Sequence, residues 1–110
     1  MSLWGEYAKE VFNFDTLEFD GGFITYGISG DTASVEFIFV SKTHRKSMLA
    51  STMLKQVELI AKEAGRSKLI AQVLMTHPEK ERAVRANLAS GFNILSANAG
   101  CILFVKDIGG

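Results

Sequence analysis

A cluster of basic residues follows an apolar stretch and directly precedes a long helical pattern. The segment 40–50 reads VSKTHRKSMLA and contains Lys42, His44, Arg45 and Lys46. A helix N-terminus presents unpaired backbone N–H groups and the positive end of the helix dipole at one point. Cations alone are unfavourable there, whereas a phosphate or pyrophosphate is stabilised. The segment therefore predicts a site for a nucleotide-bearing cofactor.

The elements before this segment follow from hydrophobic periodicity. Apolar residues at three- and four-residue spacing predict a helix near residues 2–13, with Trp4 and Tyr7 on its apolar face. The apolar runs 23–28 and 33–40 flank a Gly-Asp turn, which predicts a β-hairpin. Its strands carry several of the chain's phenylalanines, which we expect in the core.

The elements after the basic segment alternate between helix and strand. An apolar stripe predicts a helix over 46–64 that ends at Gly65, with Glu58 among its surface charges. Residues 76–79 (THPE) are typical of a capping box before a second helix, which runs to about Ser90. Apolar runs predict strands over 68–75, 92–95 and 101–106. Crossover connections favour parallel pairing between the second and third strands, flanked by antiparallel hairpins.

Length and composition favour a single globular domain over residues 1–110. The 47% of hydrophobic residues is typical of a compact protein, and the formal net charge of zero gives no general attraction to nucleic acid or membranes. We therefore expect neither partner. A single cysteine, Cys101, excludes an internal disulfide and favours the cytoplasm. His44 and His77 lack nearby ligand residues, so we expect no metal.

The segment 45–50 resembles the acyl-coenzyme A motif of the GCN5-related N-acetyltransferases (GNAT), which is Arg/Gln-x-x-Gly-x-Gly/Ala after a strand. Arg45 and Ala50 match it, and Met48 stands at its first glycine. The element order and Ser90-Gly91-Phe92 are also similar to this family. The resemblance implies an α/β fold with a mixed central sheet flanked by helices, lacking the family's first strand and helix. It also implies direct transfer of an acetyl group from acetyl-CoA to an amine.

The same resemblance implies roles for individual residues. Glu36, nine residues before Arg45, stands where many family members place a catalytic base that acts through water. Asn87 stands where the family often has a tyrosine acid, and an asparagine there can bind the cofactor but cannot donate a proton in this way. The pantetheine arm would contact the end of the strand, and the pyrophosphate would bind the turn and helix start: Phe39, Val40, Arg45, Lys46, Ser47, Met48, Leu49 and Ala50.

Two alternatives remain open at the level of the sequence. Met48, Asn87 and the short N-terminal part also fit a catalytically degenerate module of the same fold, which binds acyl-CoA weakly or works through protein contacts. The hairpin near residues 22–28 would also leave an open sheet edge, which proteins usually cover. Trp4, Tyr7 and Phe12 would cover it within one chain or across a homodimer.

Overall fold

The computed structural model describes residues 2–44 and 48–109. Within these residues, the α-helices pack on both faces of one six-stranded sheet. The elements in chain order are α1 (Leu3–Phe12), β1 (Asp15–Phe19), β2 (Gly22–Ser29), β3 (Thr32–Val40), a 3-10 helix (Lys42–His44), α2 (Leu49–Glu63), β4 (Lys68–Leu74), α3 (Lys80–Ala89), β5 (Asn93–Ala97) and β6 (Cys101–Asp107). The predicted helices and strands are confirmed, apart from the differences described below.

The strands form a mixed sheet with the order β1-β2-β3-β4-β6-β5. Strands β3 and β4 pair in parallel, and the other neighbours pair antiparallel, as the crossover argument predicts. The parallel ladder is short, running from Thr32 opposite Lys68 to Val35 opposite Ala71. Both strands continue beyond this point, so the sheet splits between them at their carboxyl ends.

The helices lie on both faces of the sheet. Helices α2 and α3 share one face, and α2 fills the core there with Met53 and Val57 against Leu69 and Phe104, all fully buried. Helix α1 packs on the opposite face, where Trp4 Nε1 donates to Thr25 Oγ1 at 3.0 Å. Ser2 Oγ caps this helix by accepting from the Gly5 N–H at 3.1 Å. The split therefore faces α2 and α3 on one side of the sheet and α1 on the other.

A β-bulge occurs in β3 immediately beyond the parallel ladder. Tyr26 of β2 pairs with Val35, whereas the preceding Thr25 pairs with Phe37, so Glu36 is the extra residue. A bulge bends its strand and re-aims the side chains that follow. This irregularity explains why Phe37 and Phe39 are 45% and 48% exposed, although we expected both in the core. Phe92 and Phe104 are buried as expected.

Strand β1 is absent from the elements that the sequence predicts. It joins β2 through the Asp20-Gly21 turn and pairs with it from Asp15 opposite Tyr26 to Phe19 opposite Gly22. The edge of β2 is therefore covered by a strand, and the expectation that α1 covers it is wrong. Two of the five residues in β1 are acidic, which weakens its hydrophobic alternation and explains the omission.

The capping-box prediction before α3 is also wrong. The N-cap residue is Glu79, and it makes no side-chain capping bond. Instead, His77 Nδ1 accepts from the Glu79 N–H at 3.0 Å. His77 therefore accepts the bond that we predicted for the Thr76 hydroxyl, because the turn containing Pro78 brings the imidazole ring to this amide. The helix itself begins and ends close to the predicted residues.

Candidate active site

The split between β3 and β4 opens into a cavity on the face that carries α2 and α3. Its volume is about 160 Å³. Beyond Val35 and Ala71 the two strands no longer share ladder bonds, so their backbones are available to a ligand at the split. Four alanines in the lining leave space where larger side chains would close the gap. They come from α2, β4 and α3: Ala50, Ala71, Ala83 and Ala86.

Several residues that the sequence singled out line this cavity together. Phe39 and Val40 come from β3, Ala50 from α2 and Asn87 from α3. Asn87 is 7% exposed, and its Nδ2 donates to the Ala83 carbonyl at 3.0 Å. Among the described residues, its buried Oδ1 has no hydrogen-bond partner. A buried acceptor without a partner is costly in a native protein, so this oxygen is available to a donor from a ligand or from water.

The start of α2 borders the cavity and suits an anion. Met48 is the N-cap residue and supplies no side-chain capping bond, and the first turn carries no acidic residue. Both properties leave the dipole end of the helix without negative charge from its own first turn. The predicted ligand residues Arg45, Lys46 and Ser47 lie outside the described residues. Leu49 packs near Gly22 and is not part of the cavity lining.

Met48 stands clear of the cavity. Its side chain is 74% exposed and borders a separate groove between α2 and the end of α3. The Met48 side chain, which stands at the first glycine of the motif, therefore lies outside the split. The groove beside it carries Ser51, Lys55 and Lys106.

Glu36 lies on the other face of the sheet. Its Oε1 accepts from Ser34 Oγ at 2.8 Å, which places both side chains on the side of α1. Ser34 pairs with Gly27, where an added Cβ would lie 3.0 Å from the Phe14 ring. The structure thus separates Glu36 from the cavity lining but keeps it beside the split, one residue beyond the last ladder pair at Val35.

The sequence missed other residues of the cavity. Gln72 extends from β4, and His77, Glu79 and Arg82 form the polar side of the lining. Glu79 and Arg82 approach each other to 3.9 Å. The spacing of Arg82, Ala83 and Ala86 before Asn87 on one side of a helix is a signal that could have identified this wall.

Glu58 is a buried carboxylate behind the cavity, which corrects its assignment to the helix surface. It is 4% exposed, and Lys106 Nζ donates to its Oε1 at 2.6 Å. Lys55 and Lys62 approach its Oε2 at 3.4 and 3.2 Å. Burial alone would raise the pKa of Glu58, but the bonds from these lysines lower it to about 2. Lys106 also donates to the Ser90 carbonyl, so the carboxylate ties α2 to β6 and to the end of α3.

Two further classes of feature can be checked over the same residues. In the ranges 2–44 and 48–109, no group of three or more histidine, cysteine or carboxylate side chains is placed to hold a metal ion. None of the described helices is long and apolar enough to cross a membrane.

The fold defined by this split sheet is that of the GCN5-related N-acetyltransferases. The structure is similar to a GNAT-family acetyltransferase from Desulfovibrio desulfuricans, with a TM-score of 0.74 and 18% identity over 87% of this chain and 69% of that protein. It is also similar to the PaiA N-acetyltransferase from Thermoplasma acidophilum in complex with coenzyme A, with a TM-score of 0.76 and 19% identity over 96% and 69%.

A third similar structure is the ribosomal-protein-S18-alanine N-acetyltransferase from Escherichia coli, with a TM-score of 0.74 and 16% identity over 100% of this chain and 79% of that protein. The chain spans 58% and 63% of the length of two further acyltransferases of this fold. No protein-family model matches the sequence, and no curated protein is significantly similar to it. At these identities the likeness defines the fold.

Proposed function

We propose that this protein is an N-acyltransferase that moves an acetyl group from acetyl-CoA to an amine by direct attack. The observation that carries the proposal is the cavity in the split between β3 and β4, with the unpartnered Asn87 Oδ1 in its wall. The coenzyme A bound to the Thermoplasma neighbour supports the same class of ligand.

The chemistry of the cavity suits the pantetheine arm. Apolar side chains from β3, β4 and α2 surround a narrow space. A flexible aliphatic chain that binds there would remove its apolar surface from water, which is favourable. The arm also carries amide N–H groups, and one of these would satisfy Asn87 Oδ1. Beyond Val35 and Ala71, β3 and β4 no longer bond to each other, so their facing backbone edges offer further partners for its amides.

The pyrophosphate would lie at the start of α2. Backbone N–H groups from Lys46 to Ala50 would bind its oxygens, and Arg45 and Lys46 would supply positive charge. The helix dipole adds to this attraction, since no acidic residue occupies the first turn. The exposed position of Met48 supports the proposal, because its side chain leaves this approach open.

Glu36 would act as the base from the opposite face. It accepts a proton from the ammonium through a water molecule, and the neutral amine nitrogen then attacks the thioester carbonyl carbon. A C–N bond forms, the C–S bond breaks, and the thiolate leaves with the electron pair. The nitrogen gives its second proton to solvent and the thiolate takes one from solvent, so the products are a neutral amide and a free thiol, and Glu36 later releases its proton to solvent. Asn87 supplies no proton for this step, because an amide is not an acid and its Nδ2 already donates to Ala83.

Calorimetric titration with acetyl-CoA tests the proposal. We expect saturable binding that Arg45→Ala weakens about tenfold or more, because a charge-assisted contact is lost. Asn87→Ala should weaken it about three- to tenfold, as expected for one neutral hydrogen bond. Arg85→Ala is the matched control, since this exposed α3 arginine is not among the cavity-lining residues. An absence of heat at millimolar acetyl-CoA would overturn the proposal.

A catalytically degenerate module is the second candidate. Asn87 favours it, because the position occupied by the family's tyrosine acid holds a residue that cannot donate a proton in that way. Such a protein would bind acyl-CoA weakly or not at all and act through protein contacts. A measurable rate of amine acetylation that Glu36→Gln abolishes would exclude it.

A further inference from the structure

Four aromatic rings form a connected surface on the α1 face beside the split. Phe39 contacts Phe23, Phe23 contacts Trp4, and Trp4 contacts Phe37, with ring centroids 5.8, 5.5 and 5.3 Å apart. We call these four residues the aromatic surface. Phe37 and Phe39 remain about half exposed, although each ring has an aromatic neighbour. Exposed aromatic area that is organised in this way is typical of a binding site.

Two carboxylates beside this surface are available to a cation. Glu36 directly precedes Phe37, and its Oε1 accepts from Ser34 Oγ. Glu18 pairs with Phe23 across β1 and β2, and its Oε2 accepts from the Ser2 N–H at 3.0 Å. Among the residues that the structure describes, the second oxygen of each carboxylate makes no hydrogen bond. Glu36 and Glu18 therefore both provide negative charge that an incoming ammonium can use.

The aromatic surface also reaches the cavity. Phe39 is a member of the surface and at the same time lines the cavity in the split. A molecule seated on the aromatic surface would therefore have one end at the split, opposite the proposed thioester. The two ligands would approach from opposite faces of the sheet, and neither would have to cross the other's binding site.

We infer that the acceptor is a primary amine with an aromatic or alkyl body and no carboxylate of its own. The inference rests on the proposed function and names its substrate class. The body would pack on the aromatic surface, and the ammonium would lie against Glu36 and the faces of the neighbouring rings. An amino acid would bring its own carboxylate close to Glu36 and Glu18, and the like charges would repel.

Fluorescence of Trp4 tests this inference without acetyl-CoA. Trp4 is the chain's single tryptophan, and it lies within the aromatic surface. Titration with 2-phenylethylamine should change its emission saturably, and phenylalanine, which adds a carboxylate to the same body, should bind at least about tenfold more weakly. Calorimetry with the same two amines provides a second readout that does not depend on the emission of Trp4.

Three variants locate the binding. Phe37→Leu should weaken 2-phenylethylamine about fivefold or more, and Glu36→Gln about tenfold. Phe12→Leu is the matched control, because Phe12 is equally exposed at 46% but lies beyond the aromatic surface, against Tyr7 and Phe14. Its affinity should equal that of the unmodified protein. Thermal melting of each variant checks that the fold is intact.

The inference is overturned if phenylalanine binds as tightly as 2-phenylethylamine, if neither amine binds by either readout, or if a folded Phe37→Leu keeps full affinity. These outcomes are separate from the fate of the proposed function. Amine selectivity is measured with the amines alone, whereas the proposed function depends on binding of acetyl-CoA. Either result can therefore fail while the other holds.

Discussion

Glu58 and Glu36 are two partly or fully buried carboxylates that lie on opposite faces of the same sheet. Glu58, on the α2 side, is surrounded by Lys55, Lys62 and Lys106, and both of its oxygens are engaged. Glu36, on the α1 side, bonds to the neutral hydroxyl of Ser34 through one oxygen. The first carboxylate joins three elements, whereas the second keeps an oxygen for an incoming group. Burial of a charge therefore does not by itself identify a functional residue in this fold.

The largest expected difference between the two carboxylates is in catalysis. Glu36→Gln should lower the rate of amine acetylation about 10²- to 10⁴-fold, because the substituted amide cannot accept a proton. Its melting temperature should stay close to that of the unmodified protein, since Gln is isosteric and Glu36 forms no ion pair with any of the described residues. Steady-state kinetics with acetyl-CoA, together with thermal melting, check both expectations. A full rate in Glu36→Gln would remove Glu36 from the mechanism.

The corresponding change at the other carboxylate should affect stability. Glu58→Gln removes the negative charge from three lysines and should destabilise the protein by about 3 kcal/mol, the lower end of the range for loss of one partner in a buried ion pair, because the lysines are partly exposed. For a domain of this size the melting temperature should fall by about 10–20 °C. Urea unfolding and thermal melting measure the effect. A change below about 0.5 kcal/mol would contradict the structural role of Glu58.

Acid unfolding sharpens the same contrast. The pKa of Glu58 is about 2 in the folded protein, below its ordinary value of 4.5, so its charged form favours the folded state. Its contribution is fully present above pH 4.5 and is lost as the pH falls towards 2. We expect the unmodified protein to lose about 3 kcal/mol more than Glu58→Gln across this range. Parallel unfolding curves for the two proteins would contradict the low pKa.

The smallest effect should come from the outermost lysine of the cluster. Lys55 is 61% exposed and lies 3.4 Å from Glu58, so Lys55→Met should change the free energy of unfolding by about 0.2–1 kcal/mol. Lys106→Met is the comparison, because Lys106 lies 2.6 Å from the carboxylate and also bonds to Ser90. Urea unfolding should rank Lys106→Met clearly below Lys55→Met in stability. Equal effects would show that Lys55 and Lys106 contribute alike, which would contradict this ranking.

The sequence predicts most of the fold because most elements carry a clear hydrophobic period. It fails where a single residue changes that period. The bulge at Glu36 turns Phe37 and Phe39 towards solvent, and nothing in the local pattern shows that one residue is skipped in the ladder. The polar strand β1 shows the same limit, because its pairing with β2 outweighs its weak alternation.

The candidate site was predictable where local chemistry defines it. The helix start and Asn87 follow from short motifs, whereas the burial of Glu58 depends on Lys106, which lies 48 residues further along the chain. A charged residue on a helix is normally solvated, so only the tertiary contact reveals this pair. The aromatic surface is similar, since its rings come from α1, β2 and β3 and meet only after folding.

The turn between β1 and β2 has a consequence for the far end of β3. Gly21 adopts a φ of 93°, its carbonyl accepts from the Ser41 N–H at 2.7 Å, and a Cβ on Gly21 would collide with the ring of His44. The tip of the first hairpin therefore fixes the positions of Ser41 and His44. A side chain introduced at position 21 would displace His44, so a weaker affinity for acetyl-CoA in such a variant would report the position of this turn and not a contact between residue 21 and the ligand.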